Sequence, residues 1–219
     1  EGIGNKSLFN LITSGYEIND LVSMDDEGLA KFIKGSKKKI GIKILQDNYQ
    51  EQQEAADTFL DDLSDNGIEI SIFGDPNYPD LYKLIQNPPI ILYSRGELSL
   101  LKGLDNIAIV GSRQCTEQGR EVALRTASHF ADKGFNIVSG LALGIDTAAH
   151  EGALKDNGRT TAILVNVDEI YPEENKLLAE EIVDQGGLLV SENAPGTPAI
   201  GGMFVTRDRL QSGLSLGVF

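Results

Sequence analysis

Tryptophan is absent from these 219 residues, cysteine occurs once, and 19 lysines and arginines face 33 aspartates and glutamates. Each shortage closes a class of function. The lone thiol, Cys115, cannot form an internal disulfide and suits a reducing cytoplasm. It is read as an inert loop thiol, because no histidine or carboxylate is assigned beside it. A formal charge of −14 is the wrong sign for a protein that coats nucleic acid indiscriminately, so any nucleic-acid site has to be a local basic pocket on an acidic body. With a 6% aromatic share there are few platforms on which bases could stack and be told apart. No apolar run approaches the ~18 residues needed to cross a bilayer, and no signal peptide is visible, so a cytoplasmic protein without a membrane partner is expected. Neither G-x-G-x-x-G after a strand nor G-x-x-x-x-G-K-[ST] occurs, which removes the dinucleotide and P-loop mechanisms. No cofactor and no metal site is expected. Internal repeats are lacking too. The chain opens at Glu1 without methionine and stops at Phe219 just inside an apolar run, and is read as a fragment at both ends.

What is present is organised around Ile107 to Ala149, two strand-loop-helix units in tandem. Asn106 to Val110 is a β-branched, apolar run that stops at Gly111-Ser112-Arg113, and Thr116 offers a helix N-cap. On the following helix Ala123, Ala127, Phe130 and Ala131 form one narrow stripe, with Gly134 as the stop signal. Phe135 to Val138 is a second buried strand, and the loop from Ser139 through Gly140 to Gly144 leads into a helix from Ile145. Both loops should lie at the carboxyl ends of adjacent parallel strands, where open α/β sheets bind ligands. Helix N-termini there favour an anion, glycines 111, 140 and 144 let it approach the backbone, Ser112 and Ser139 offer hydroxyls, and Arg113 offers a charged fork.

The 41% hydrophobic content is enough for an ordinary core, and a domain boundary is expected near residue 66. Residues 1–66 read as a small all-α domain. Gly2-Ile3-Gly4 precedes a short amphipathic helix with Leu8, Phe9, Leu11 and Ile12; Asp25-Asp26 opens another with Leu29, Phe32 and Ile33; and Ile40 to Asn66 suits a long helix with Ala56, Phe59, Leu60 and Leu63 on one face. The glycine turn resembles a helix-hairpin-helix phosphate clamp, and a spacer role is equally open. Lys37-Lys38-Lys39 is read as a solvated helix start. From 67 to 219 the period changes. Ile68, Ile70 and Ile72 alternate with Glu69 and Ser71 as a half-buried strand, a short helix runs through Leu84, and further strands are expected at Ile90 to Tyr93, Thr160 to Val165 and Leu188 to Val190. The last helix starts at Phe204. Such alternation calls for a mainly parallel, doubly wound α/β sheet.

The runs VGSR (110–113), SGLALGIDTAAH (139–150), YPEEN (171–175) and FVTRDRLQSGLS (204–215) together resemble the DNA-processing protein A family, also called Smf, over about Ile72 to Ser215. The resemblance implies an extended Rossmann-like domain, often behind a small helical one. It implies single-stranded DNA binding, loading of the RecA recombinase during natural transformation, and no catalysis. Carried over by motif, Arg113 grips the DNA backbone, Lys176 is a second basic contact, and Gly111, Ser112, Ser139 and Gly140 line the pocket. Arg207 and Arg209 belong to the family's F-P-x-R-N-R run, in which this chain has Asp208 at the asparagine position. Later segments of the family contribute to dimerisation and RecA contact.

Two side readings complete the sequence. Asp146 and His150 lie four apart on one helical face, which could form an acid-base pair, but the adopted reading is a histidine that fixes a loop through a hydrogen bond. His129 carries no function. The competing class is a nucleotide sensor or phosphoribohydrolase-like enzyme; its P-G-G-x-G-T-x-x-E run is only faintly echoed at Ala194-Pro195-Gly196-Thr197.

Overall fold

A computed structural model describes residues 5–15, 18–25, 27–28, 46–155 and 157–219. The chain divides into two compact units, Glu1–Asn66 and Gly67–Phe219. In the first, the described residues form helices α1 (Asn5–Thr13), α2 (Ile18–Ser23) and α3 (Tyr49–Asp65). The glycine turn at 2–4, the lysine run at 37–39 and the apolar positions 29, 32 and 33 lie outside the described residues. A turn at Asn48 separates α3 from the helical residues 46 and 47, so the expected long helix is interrupted there, and its expected start at 40–45 lies outside the described residues. Of its expected apolar face only Leu63 is buried, while Phe59 and Leu60 are 37% and 49% exposed.

In the second unit the apolar runs become strands β1 (Glu69–Ile72), β2 (Ile91–Gly96), β3 (Asn106–Ala108), β4 (Asn136–Ser139), β5 (Thr160–Ile163), β6 (Leu188–Ser191) and β7 (Gly217–Val218). They form one seven-stranded sheet in the order β1-β2-β6-β5-β4-β3-β7. The pairs β6–β5, β5–β4, β4–β3 and β3–β7 are parallel; β1–β2 and β2–β6 are antiparallel. The mainly parallel α/β sheet is therefore as expected, with an antiparallel hairpin closing one edge. Helices α4 (Glu117–Asp132), α5 (Ile145–Leu154), α6 (Lys176–Asp184) and α7 (Gly201–Gly213) connect and cover it.

Period-two geometry splits the core into two layers. Ile107, Ile109 and Ile137 pack with Ala123, Ala127, Ala148, Ala149 and Ala153 of α4 and α5. Their strand neighbours Ala108 and Val138 face the opposite layer, with Tyr82, Leu101, Leu188 and Leu210. Burial on both faces explains why these strands read as continuous apolar runs. The Thr116 cap forms as expected, accepting the Gly119 N–H at 3.0 Å, a contact worth about 1 kcal/mol.

One local expectation fails, and one is met in a tighter form. In β1 the serine is inside: Ser71 is fully buried while Ile72 is 39% exposed. Ser71 stands opposite Leu92, on the face that Tyr78 and Tyr82 close, whereas of the expected isoleucine face Ile68 is buried and Ile70 half-buried. The segment through Leu84 is a 3₁₀ turn, Asp80–Leu84, with Leu84 exposed.

Candidate functional site

Because β3 and β4 are parallel neighbours, the loops after them leave the sheet on one edge, as the sequence suggests. Their amides do converge on an anion, and it is the chain's own Asp146. Gly111 N–H donates to Asp146 Oδ1 at 3.3 Å and Gly140 N–H to Oδ2 at 3.1 Å. Burial pushes this carboxyl above its ordinary range, and the Arg207 guanidinium and the loop amides pull it back. The helix start that should have faced a ligand is closed as well. Gly144, at φ +86°, caps α5, and Ile145 N–H donates to Ser112 O at 3.2 Å. A β-carbon at Gly144 would stand 2.7 Å from Arg113 O, so glycine there welds the two loops together.

The two serines are likewise committed. Ser139 is buried and donates to Ile109 O at 2.6 Å; Ser112 is exposed, but its hydroxyl donates to Gln114 O at 3.0 Å and accepts Gln114 N–H at 3.1 Å. The expectation that both hydroxyls face an anion is corrected: strand-end hydroxyls satisfy the buried backbone of their own loops first. Asp146 and His150 are not an acid-base pair. Thr160 Oγ1 gives its proton to Ile137 O, so the fully buried His150 donates from Nδ1 to Thr160 at 2.7 Å. Burial lowers its pKa to about 3, which leaves it neutral. The hydrogen-bonding role is the right one, although the partner is a strand residue and not a loop.

The charged groups that do face open space come from elsewhere. Arg113 is exposed, its Cζ 5.8 Å from the centre of the Phe204 ring, and Phe204 in turn lies 5.3 Å from the Tyr171 ring. Arg207 reaches in from α7 and is only 5% exposed, yet its Nε and Nη1 have no hydrogen-bond partner. A β-carbon at residue 140 would stand 2.7 Å from Arg207 Cζ, so Gly140 is required as the seat of that guanidinium. Together Gly111, Arg113, Asp146, Phe204, Arg207 and Asp208 line a cavity of about 360 Å³. A recess of about 50 Å³ beside it adds Leu143 and Tyr171.

Two expected contacts are not brought here. Lys176, first residue of α6, lines an acidic depression with Asp168, Glu169, Glu173 and Glu174; the depression adjoins the small recess through Leu143, Tyr171 and Pro172 but not the larger cavity. Arg209 is forked onto Glu192, at 2.8 and 2.6 Å, and also donates to Asn87 O at 3.1 Å. Asp208 Oδ1 lies 3.6 Å from Arg207 Nε. Cys115 is half-buried and outside the cavity, and His129 packs on Phe130. The sequence motifs do not single out Phe204 or Asp146 as lining residues; an acid at the second helical position after a glycine loop is the signal for the latter. Among the described residues no group of three or more His, Cys, Asp or Glu could hold a metal ion, and no helix is long and apolar enough to cross a membrane.

Sheet order and cavity define a Rossmann-like α/β protein with an arginine-lined pocket at the carboxyl ends of its parallel strands. Residues 69–219 match the family model described as DNA recombination-mediator protein A, and the chain belongs to that family. It is 36% identical over 155 residues to Protein Smf of Borreliella burgdorferi, covering 69% of this chain and 48% of that protein. It is 37% identical over 155 residues to DNA processing protein DprA of Bacillus subtilis, covering 70% and 52%. The chain thus spans about half the length of these curated relatives. The crystal structure of DNA processing protein A from Streptococcus pneumoniae matches with a TM-score of 0.76 and 29% identity, over 99% of this chain and 72% of that one. A structure bearing on the single-stranded DNA binding mode of the Helicobacter pylori protein matches with a TM-score of 0.61 and 34% identity, over 68% and 67%.

Proposed function

We propose that this chain binds single-stranded DNA by its phosphodiester backbone in the Arg113–Arg207 cavity and serves, in the cytoplasm, as a recombination mediator that assists recombinase loading on incoming DNA. The observation that carries the reading is Arg207: a guanidinium 5% exposed with two unpaired donors beside a cavity is costly unless an anion completes it. Arg113 adds an exposed fork suited to phosphate oxygens. Backbone contacts of this kind, with Phe204 and Tyr171 as the rings that line the cavity and its recess among the described residues, favour sequence-tolerant binding. The protein acts by binding and not by catalysis, and the recombinase contact and a homodimer are carried by the family's likeness. A phosphoribohydrolase-like reading has less support, because Gly196 N–H in its faintly matching loop is spent on Asp168 at 3.0 Å.

The test is a salt titration of fluorescent oligo(dT) binding, with duplex DNA and free nucleotides as competitors. Two or three phosphate contacts should give a slope of log K on log salt of about −1.5 to −2. Arg113→Ala should weaken binding by roughly 1.5–3 kcal/mol and flatten the slope by one contact, and Arg113→Lys should keep the slope with part of the loss. A duplex preference, or an Arg113→Ala variant that folds and binds like the parent, would overturn the reading.

A further inference from the structure

We propose that Asp208 is a built-in brake on anion binding, a carboxylate that shares the Arg113–Arg207 cavity and sets how tightly it holds phosphate. The proposal rests on the reading of that cavity as a phosphate site. Four charged groups line it: Arg113 and Arg207 on one side of the balance, Asp146 and Asp208 on the other. The two acids are not equivalent. Asp146 is buried and its oxygens are occupied by the Gly111 and Gly140 amides, so its charge is offset by the loops that hold it. The Asp208 side chain is 62% exposed, and 3.6 Å from Arg207 Nε is too far for a hydrogen bond. Asp208 therefore opposes the charge of Arg207 without occupying its donors. A ligand in the cavity must approach Arg207 with a like charge close by. Across water-accessible space such repulsion is modest and screened by salt. A cavity of this composition binds weakly and releases readily.

The variant is Asp208→Asn, which keeps the shape and removes the charge. Substituting so exposed a side chain should leave the fold intact, and thermal melting checks that. Binding is measured with two probes, oligo(dT) and inorganic pyrophosphate, the latter by ³¹P NMR. Asp208→Asn should tighten both by about fivefold at low salt, with the gain shrinking as salt rises. Tighter pyrophosphate binding with no oligo(dT) binding by either protein would support the brake and sink the DNA reading. Equal or weaker pyrophosphate binding by Asp208→Asn would overturn the brake, because the carboxylate would then be a support for Arg207 and not a competitor.

Discussion

Arg207 and Arg209 stand two residues apart on α7, and the two sides of the helix use the same chemical group for opposite ends. On one side Arg209 is saturated: Glu192 takes two of its N–H groups in a fork, and the carbonyls of Thr206 and Asn87 take others. On the other side Arg207, which lines the cavity, is more deeply buried and yet has two buried nitrogens without hydrogen-bond partners. Burial alone does not say what a charge is for. What separates the two is whether the protein itself supplies the acceptors: where it does, the arginine holds the fold, and where it does not, the proposed ligand would supply them.

The contrast can be broken from the structural side first, where the largest effect is expected. Arg209→Met leaves Glu192, 11% exposed, without its cation and should destabilise the protein by about 3 kcal/mol in chemical denaturation, while the folded protein keeps its oligo(dT) affinity. Arg207→Met should shift the balance the other way. The cation it removes has no hydrogen bond in the fold but lies 3.6 Å from the exposed Asp208 and offsets the buried Asp146, so the melting temperature should fall less than in Arg209→Met while binding weakens by about 2 kcal/mol. If both variants lose stability and neither loses affinity, the distinction between the two sides is gone.

Gly140→Ala sharpens the comparison without deleting any charge. The new methyl would displace only the flexible ends of Arg207 and Gln211, so folding should survive and binding should fall by about 1 kcal/mol as the guanidinium leaves its seat. Parental affinity in this variant would show that the position of Arg207 is immaterial. The smallest effect is in pH. Burial raises the Asp146 carboxyl above 3.8, with Arg207 the main opposing influence. An acid raised on folding contributes stability in its protonated form, and that contribution is lost as pH rises through the raised value. Removing Arg207 raises it further, so Arg207→Met should carry this loss to higher pH than the parent in denaturation curves stepped upward from pH ~3.8. Superimposable pH profiles would mean that the two groups do not interact.

How far the sequence alone reaches follows from which contacts are local. Strand-helix alternation and the Thr116 cap depend on neighbours within a few residues, and the shared edge of the two glycine loops follows from the general rule for parallel strand-helix-strand units; all are present in the fold. The misread positions depend on partners far along the chain. Ser71 is inside because Leu92 stands opposite it; Arg209 is structural because Glu192 and Asn87 reach it; Ser139 is closed by Ile109. The two-loop anion site was legible as chemistry, since the amides do converge on a negative charge. That the charge is Asp146, six residues on from Gly140, could not be read from spacing, because it requires knowing how the loop folds back over the helix start.

The most direct test of the account is the oligo(dT) affinity of Arg207→Met across a salt series, beside the parent, with folding verified by melting. The account predicts a folded protein whose binding is weaker by about thirtyfold at low salt and whose slope is flatter by ~0.7, one phosphate contact. Parental affinity at every salt concentration would contradict it, and would make Arg207 an arginine buried for packing alone.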